Sequence, residues 1–283
     1  MDTNPPPTTS PARPARARWR AAALTGLAGG SFAGLTGVGG GAIMVPMLTG
    51  LLGQGQHRAH ATSLAIIGFL AVAGVIGYAQ AGNIDWPLAL TLTPPAVAGV
   101  LVGTRVMLRV PAMQLRLIFG LFLFFVAFRQ LAWTFDAGSN NDGASGLALE
   151  VAFGFAGGIL AGLLGVGGGA IFVPAIVIFG LVGDVSDPQK VAQGVSLVVI
   201  VFTAIAGTIS NVRDGAVDLD LLRWVAPVAT LAALIAALAA NRVDDGILRR
   251  IYGITALLLG IQTMYTSIRG LREGRRVVEM EAI

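Results

Sequence analysis

Eight apolar runs dominate the 283-residue chain, at roughly residues 22–53, 60–80, 86–108, 113–135, 147–182, 190–211, 219–240 and 246–268. Six of them hold the twenty or so residues that cross a hydrocarbon core of about 30 Å as a helix. Inside lipid each backbone polar group must be satisfied within its own segment, which a helix achieves. Hydrophobic residues make up 55% of the chain and charged residues 12%, about half the charged share of a soluble domain. One soluble core cannot hide that much apolar surface. The fold class expected is therefore all-α, a polytopic transmembrane helical bundle in which the lipid bilayer is the first partner.

The first and fifth runs exceed 30 residues, and a straight helix of that length reaches about 45–50 Å. Their sequences are near copies. Residues 26–46 read GLAGGSFAGLTGVGGGAIMVP, residues 154–174 read GFAGGILAGLLGVGGGAIFVP, and 16 of 21 positions agree. The match continues through Ser63-Leu64 with Ser196-Leu197, Gly82 and Asp85 with Gly215 and Asp218, and Pro94 with Pro227. Leu115-Arg116 then matches Leu248-Arg249. The chain thus divides into two homologous four-segment repeats, 22–135 and 147–268, joined by the turn-rich linker 136–146. A disordered basic tail, 1–21, precedes them, and a basic C-terminal tail, 269–283, follows.

Each repeat opens with glycines at four-residue spacing: Gly26, Gly30 and Gly34, then Gly154, Gly158 and Gly162. They share one helix face, where a neighbouring backbone can approach closely. The denser clusters Gly37–Gly41 and Gly165–Gly169 are different, since each Gly costs a helix about 1 kcal/mol relative to Ala. With Pro46 and Pro174 following, they predict two half-helices around an unwound stretch. Non-helical backbone at membrane depth must be buried in protein or line a cavity. Matched interruptions in two halves point to a transporter's binding site.

Charge placement bears on topology. With the N-terminal tail inside, eight crossings put 11 of the 19 Lys and Arg inside and 8 outside. Returning segments one and five to their own sides gives 14 inside and 5 outside, which follows the positive-inside tendency better. Three true crossings per half would make the second repeat inverted relative to the first. No basic face lies on a soluble domain, so nucleic acid is not an expected partner. The chain has no Cys and only two His, His57 and His60. Thiol chemistry is excluded, a multi-histidine metal site is not expected, and no cofactor is implied. The GxGGG run lacks the preceding strand and following acid of a dinucleotide fingerprint. No nucleophile, base or metal constellation suggests an enzyme.

The pattern G-x-x-x-G-x-x-G-x-G-G-G-x-x-x-x-P at Gly30–Pro46 and Gly158–Pro174 resembles the sulfite exporter TauE/SafE family of membrane transporters. So do His60-Ala61-Thr62-Ser63-Leu64, Gly194-Val195-Ser196-Leu197 and Gly82-Asn83-Ile84-Asp85-Trp86, and the likeness covers nearly all of 22–268. The resemblance implies a permease of the cytoplasmic membrane for a small sulfur-containing anion such as sulfite or a sulfonate. An anion at mid-membrane needs donors and positive potential without a permanent charge, and helix N-termini supply both. Gly39, Gly40 and Gly41 with Gly167, Gly168 and Gly169 are the expected cradle. Thr62, Ser63, Gln193 and Ser196, at the next segments' starts, are expected further donors. The rival reading is a structural or assembly protein without a transport path. A homo-oligomer is compatible with the sequence, which does not specify one.

Overall fold

The computed structural model describes residues 15–106, 120–121, 123–128, 130–131, 144–164, 167–183, 185–213 and 215–281. The described residues form helices and the loops joining them. In chain order the helices are α1 (Ala15–Thr36), α2 (Gly41–Gly50), α3 (Gln56–Gln80) and α4 (Trp86–Val106), then α5, described within 120–131. They continue with α6 (Ala144–Leu164), α7 (Gly169–Ile178), α8 (Pro188–Arg213), α9 (Leu219–Ala240) and α10 (Asp245–Glu281). Among the described residues α3, α4, α6, α8 and α9 are long and apolar enough to cross a membrane, while α2 and α7 are shorter apolar helices.

Two boundaries differ from expectation. Helix α1 starts at Ala15, ahead of the expected border at 22, because Pro14 is followed by Ala and Arg, which are strong helix formers. Helix α10 runs on to Glu281 through the stretch read as a basic tail. Most of segment 113–135 and linker residues 136–143 lie outside the described residues, as do Gly165, Val166 and Arg129.

The overlong segments fold back on themselves. A Cβ on Gly29 would strike the Met44 side chain, and one on Gly40 would lie 2.6 Å from the Gly29 carbonyl and 3.4 Å from Ala33. Helix α2 therefore runs beside α1 in the opposite direction. The second copy repeats this: Gly157 faces the Phe172 ring, and Gly168 faces Phe172 and Ala161. Both hairpins return to the end of the bundle they left. Gly26 packs at Val225 near the start of α9, and Gln54, beyond α2, bonds Asp218 just ahead of α9. At the opposite end Glu150 of α6 accepts from Thr91 near the start of α4, and Gly194 of α8 lies against the Asn83 carbonyl.

The glycine stripes dictate an exchange between the halves. Gly26 (where a Cβ would lie 2.8 Å from the Val225 carbonyl), Gly30 and Gly34 set α1 directly on the backbone of α9. Gly154 (where a Cβ would lie 2.8 Å from the Leu92 carbonyl), Gly158 and Gly162 set α6 on α4 in the same way. Each half thus lends its third segment to the other's hairpin. One core cluster joins α1–α3 with α9, with Leu197, Ile200 and Ala204 of α8 and with Leu248 of α10, and a second joins α4, α5, α7, α8 and α10. Helices α3 and α8 run antiparallel through the centre, with Gly74 at Leu197, Tyr78 at Gln193 and Leu64 at Gly207. The outer faces expose Phe69, Leu90, Phe125, Leu231, Ile235 and Leu258 among others, an apolar surface that belongs against lipid.

Candidate functional site

Glycine is required at the two breaks by backbone conformation. Gly37, Gly39 and Gly40 have φ of +68°, +89° and +74°, and Gly167 and Gly168 have +87° and +81°. An L side chain in that region costs about 1–2 kcal/mol per residue. Gly40 and Gly168 are left-handed N-caps of α2 and α7. The Gly40 carbonyl accepts from Ile43 and Met44 at 3.1 and 3.0 Å, and the Gly168 carbonyl from Ile171 and Phe172 at 2.9 and 3.0 Å. The N–H groups of Gly41, Ala42, Gly169 and Ala170 precede that ladder and are the free donors of each helix start. Thr36 shapes the end of α1: its hydroxyl donates to the Phe32 carbonyl at 2.7 Å and accepts from Val38 N–H at 3.4 Å.

The two breaks touch. A Cβ on Gly169 would overlap the Gly37 carbonyl and lie 2.6 Å from Val38 Cα. Val38 itself packs into the core cluster of α4, α7 and α8. A Cβ on Gly39 would stand 3.3 Å from Ile200 and 3.4 Å from Ile67, and one on Gly167 would stand 3.2 Å from Ile67 and 3.8 Å from Ile200. The same two buried isoleucines therefore cover both glycines. The two glycine breaks thus lie together, buried in the interior of the bundle.

Of the expected side-chain donors, Ser196 and Gln193 reach the first break. Ser196 Oγ donates to the Gly37 carbonyl at 3.0 Å, and a Cβ on Gly37 would meet Gln193 Cα at 2.8 Å. Tyr78 Oη stands 2.7 Å from Gln193 Oε1 and 3.1 Å from the Gly34 carbonyl. Ser63 is fully buried one turn from Ile67, and its Oγ has no partner among the described residues; nor has Gln193 Nε2. Thr62 is not brought to the glycines. Its Oγ1 accepts the Asp218 N–H at 2.9 Å, at the start of α9. Ser63, Gln193 and Ser196 lie within α3 and α8 rather than at their starts.

The sequence reading missed Ile67, Ile200, Tyr78 and Tyr252. Tyr252 Oη donates to the Ala170 carbonyl at 3.2 Å, fixing the start of α7. Carrying the Ser63–Ser196 match four residues on would have found the isoleucine pair. The tyrosines have no counterparts in the repeat and left no signal.

Ionisable groups sit at the ends of the bundle. At one end Asp218 caps α9, accepting from Leu221 N–H at 3.0 Å and from Gln54 Nε2 at 2.6 Å. Burial pushes its carboxyl up, but those bonds and the nearby Arg58 outweigh it and hold the group below its ordinary value. At the other end Asp245 accepts from Lys190 N–H at 3.1 Å and Gln189 N–H at 3.4 Å. There burial wins, aided by Asp187 and opposed by those N–H groups and Lys190, and the carboxyl is held above its ordinary value. Lys190 pairs with Asp187 at 3.1 Å. No group of three or more metal-ligating side chains occurs among the described residues.

The sequence of the chain matches known proteins. The family model described as sulfite exporter TauE/SafE matches residues 3–129 and 150–281. The probable membrane transporter protein YunE of Bacillus subtilis is 26% identical over 269 residues, covering 87% of this chain and 97% of that protein. The probable membrane transporter protein YdhB of the same organism is 27% identical over 240 residues, with 83% and 96% covered. The probable membrane transporter protein MJ0441 of Methanocaldococcus jannaschii is 28% identical over 193 residues, with 66% and 70% covered. No solved structure matches the chain. With its glycine-broken hairpins inside the matched stretches, the chain is a multi-pass membrane transporter that belongs to the sulfite exporter TauE/SafE family.

Proposed function

We propose that this transporter moves a small sulfur-containing oxyanion, such as sulfite or a sulfonate, across the cytoplasmic membrane by alternating access between two inverted repeats. The observation that carries the reading is the contact of the two breaks. Each ends in a left-handed glycine cap that leads into a half-helix, and each buries its first N–H groups at the same place. Two helix N-termini aimed at one spot favour negative charge there without a fixed cation. The antiparallel course of α3 and α8, at matched residues, supports inversion of the halves. The exchanged α4 and α9 support a rocking motion, since each hairpin rides on a helix of the other half.

Flux measured in proteoliposomes against sulfite, thiosulfate, sulfate and organosulfonates tests the reading. Saturable movement of one anion, lost in Gly168→Leu, is the expected result. A cation or neutral solute moving while every anion fails would overturn the anion assignment. A chain that moves nothing, yet tolerates Gly168→Leu and not Gly30→Leu, would be an assembly protein.

A further inference from the structure

The repeats match along α3 and α8 more closely than the serines alone indicate. Gln56, His60, Ser63 and Ile67 align with Gln189, Gln193, Ser196 and Ile200. Those positions recur at helical spacing and occupy one face of each helix. On α8 the whole face is buried, with Gln189, Gln193, Ser196 and Ile200 at 0% exposure, and on α3 Ser63 and Ile67 are equally buried. A polar stripe inside a membrane helix is costly and is kept where it serves a path or a partner. Three atoms on these stripes lack a partner among the described residues: Gln189 Nε2, Gln193 Nε2 and Ser63 Oγ. Because α3 and α8 run antiparallel, the stripes begin at opposite ends of the bundle and converge. Each ends on its isoleucine, and both isoleucines lie over Gly39 and over Gly167.

We propose that the polar faces of α3 and α8 are the two half-paths of the solute, and that Ile67 and Ile200 together form the barrier between them. The proposal rests on the permease reading and gives its site a gate. On either side of the barrier Ser63 Oγ and Gln193 Nε2, which have no partner among the described residues, can bond water or an oxyanion when their half opens. Two buried apolar side chains packed over bare backbone exclude a hydrated ion. Turning either side chain away would uncover the glycine amides to one side only.

The absence of native Cys allows a test that needs no knowledge of the solute. Ser63→Cys and Ser196→Cys are made singly and reconstituted in oriented vesicles. A small, charged, membrane-impermeant thiosulfonate is then added to either face. Ser63→Cys is expected to react only from the face where α3 starts, and Ser196→Cys only from the face where α8 starts. Combining each with Ile67→Ala and Ile200→Ala is expected to raise the far-side rate about tenfold or more, the effect of a lowered barrier on a rate. Ile67→Val with Ile200→Val keeps the core filled and is expected to act in the same direction, more weakly. Both cysteines reacting from one face, or sidedness unchanged in the alanine and valine backgrounds alike, would overturn the gate. Correct sidedness in a chain that moves no anion would instead fail the permease reading and leave the barrier standing.

Discussion

The two hairpins share a backbone and differ in their wiring. Both place glycine at the left-handed cap, and both wedge a large side chain, Met44 or Phe172, against a glycine of the long helix. Yet α7 is buried from Gly169 through Ile176, whereas α2 buries only Gly41, Met44, Val45 and Leu48. At the first break Ser196 holds the Gly37 carbonyl, while its counterpart Ser63 holds nothing among the described residues. Tyr252 grips the start of α7, whereas Tyr78 bonds the end of α1 and Gln193. The two matching stretches share what backbone geometry demands and differ in their polar contacts. The second hairpin is anchored as core, and the first lies nearer the surface, the better placed of the two to move.

The largest contrast concerns the caps. Gly40→Ala and Gly168→Ala each force an L residue into the left-handed region, at about 1–2 kcal/mol. Their added Cβ atoms meet different obstacles. At Gly40 the nearest atom is the Gly29 carbonyl, 2.6 Å away and fixed in α1. At Gly168 it is the Phe172 ring edge at 2.7 Å, which a small turn of the side chain relieves, with the Ala161 Cβ at 2.9 Å needing a smaller shift than the Gly29 carbonyl demands. Overpacking adds about 1–3 kcal/mol, and Gly40→Ala should take the larger share. Thermal unfolding in detergent should place Gly40→Ala below Gly168→Ala, and both below the unsubstituted chain. The reverse order would mean that the buried second hairpin is the less forgiving one.

The serine pair comes next. Ser196→Ala strips a buried carbonyl of its donor, which costs about 1–3 kcal/mol. Ser63→Ala removes a buried hydroxyl that has no partner among the described residues, so stability should hold or rise slightly. Transport should respond differently: Ser63→Ala is expected to slow flux in a chain that unfolds at the normal temperature. Equal destabilisation by the two substitutions would show that Ser63 has a structural partner after all, and the contrast between the breaks would vanish.

Much of this architecture was legible in the sequence, because hydropathy and punctuation act locally. The segments from α3 to α4 and from α8 to α10 begin close to where apolar runs and turn residues put them. What stayed hidden was partner choice. Nothing in Gly30 or Gly158 says that the backbone it admits belongs to Ala229 or Ala96 of the other half. Thr62 was grouped with Ser63 by adjacency, but one residue turns a helix by about 100°. That turn carries Thr62 to the α9 cap, away from the breaks. The Ile67–Ile200 pair was missed for the opposite reason: the repeat match contains it, but an apolar residue in an apolar helix draws no notice until its neighbours are seen.

The smallest contrast lies between the carboxylates at the two ends, and its sign depends on pH. Asp218 is held below its ordinary value. Its stabilisation is present above the unfolded value of about 3.9 and is lost as pH falls through the lower folded value. Asp218→Asn keeps an acceptor for Leu221 N–H but sets an amide against the Gln54 amide and removes the attraction of Arg58. The variant should be less stable near neutrality by about 1 kcal/mol, and the deficit should close in acid. Asp245 is held above its ordinary value, so its protonated form is the one the fold prefers. The stability it allows is complete below the unfolded value and declines as pH rises through the raised folded one. Asp245→Asn should therefore match the unsubstituted chain in acid and equal or exceed it near neutrality. Unfolding temperatures of both variants, measured across the acid to neutral range, should diverge in opposite directions as pH rises. Parallel curves would mean that the two ends of the bundle are electrostatically alike, and that Asp245 is a solvated cap like Asp218 rather than a charge kept partly out of water.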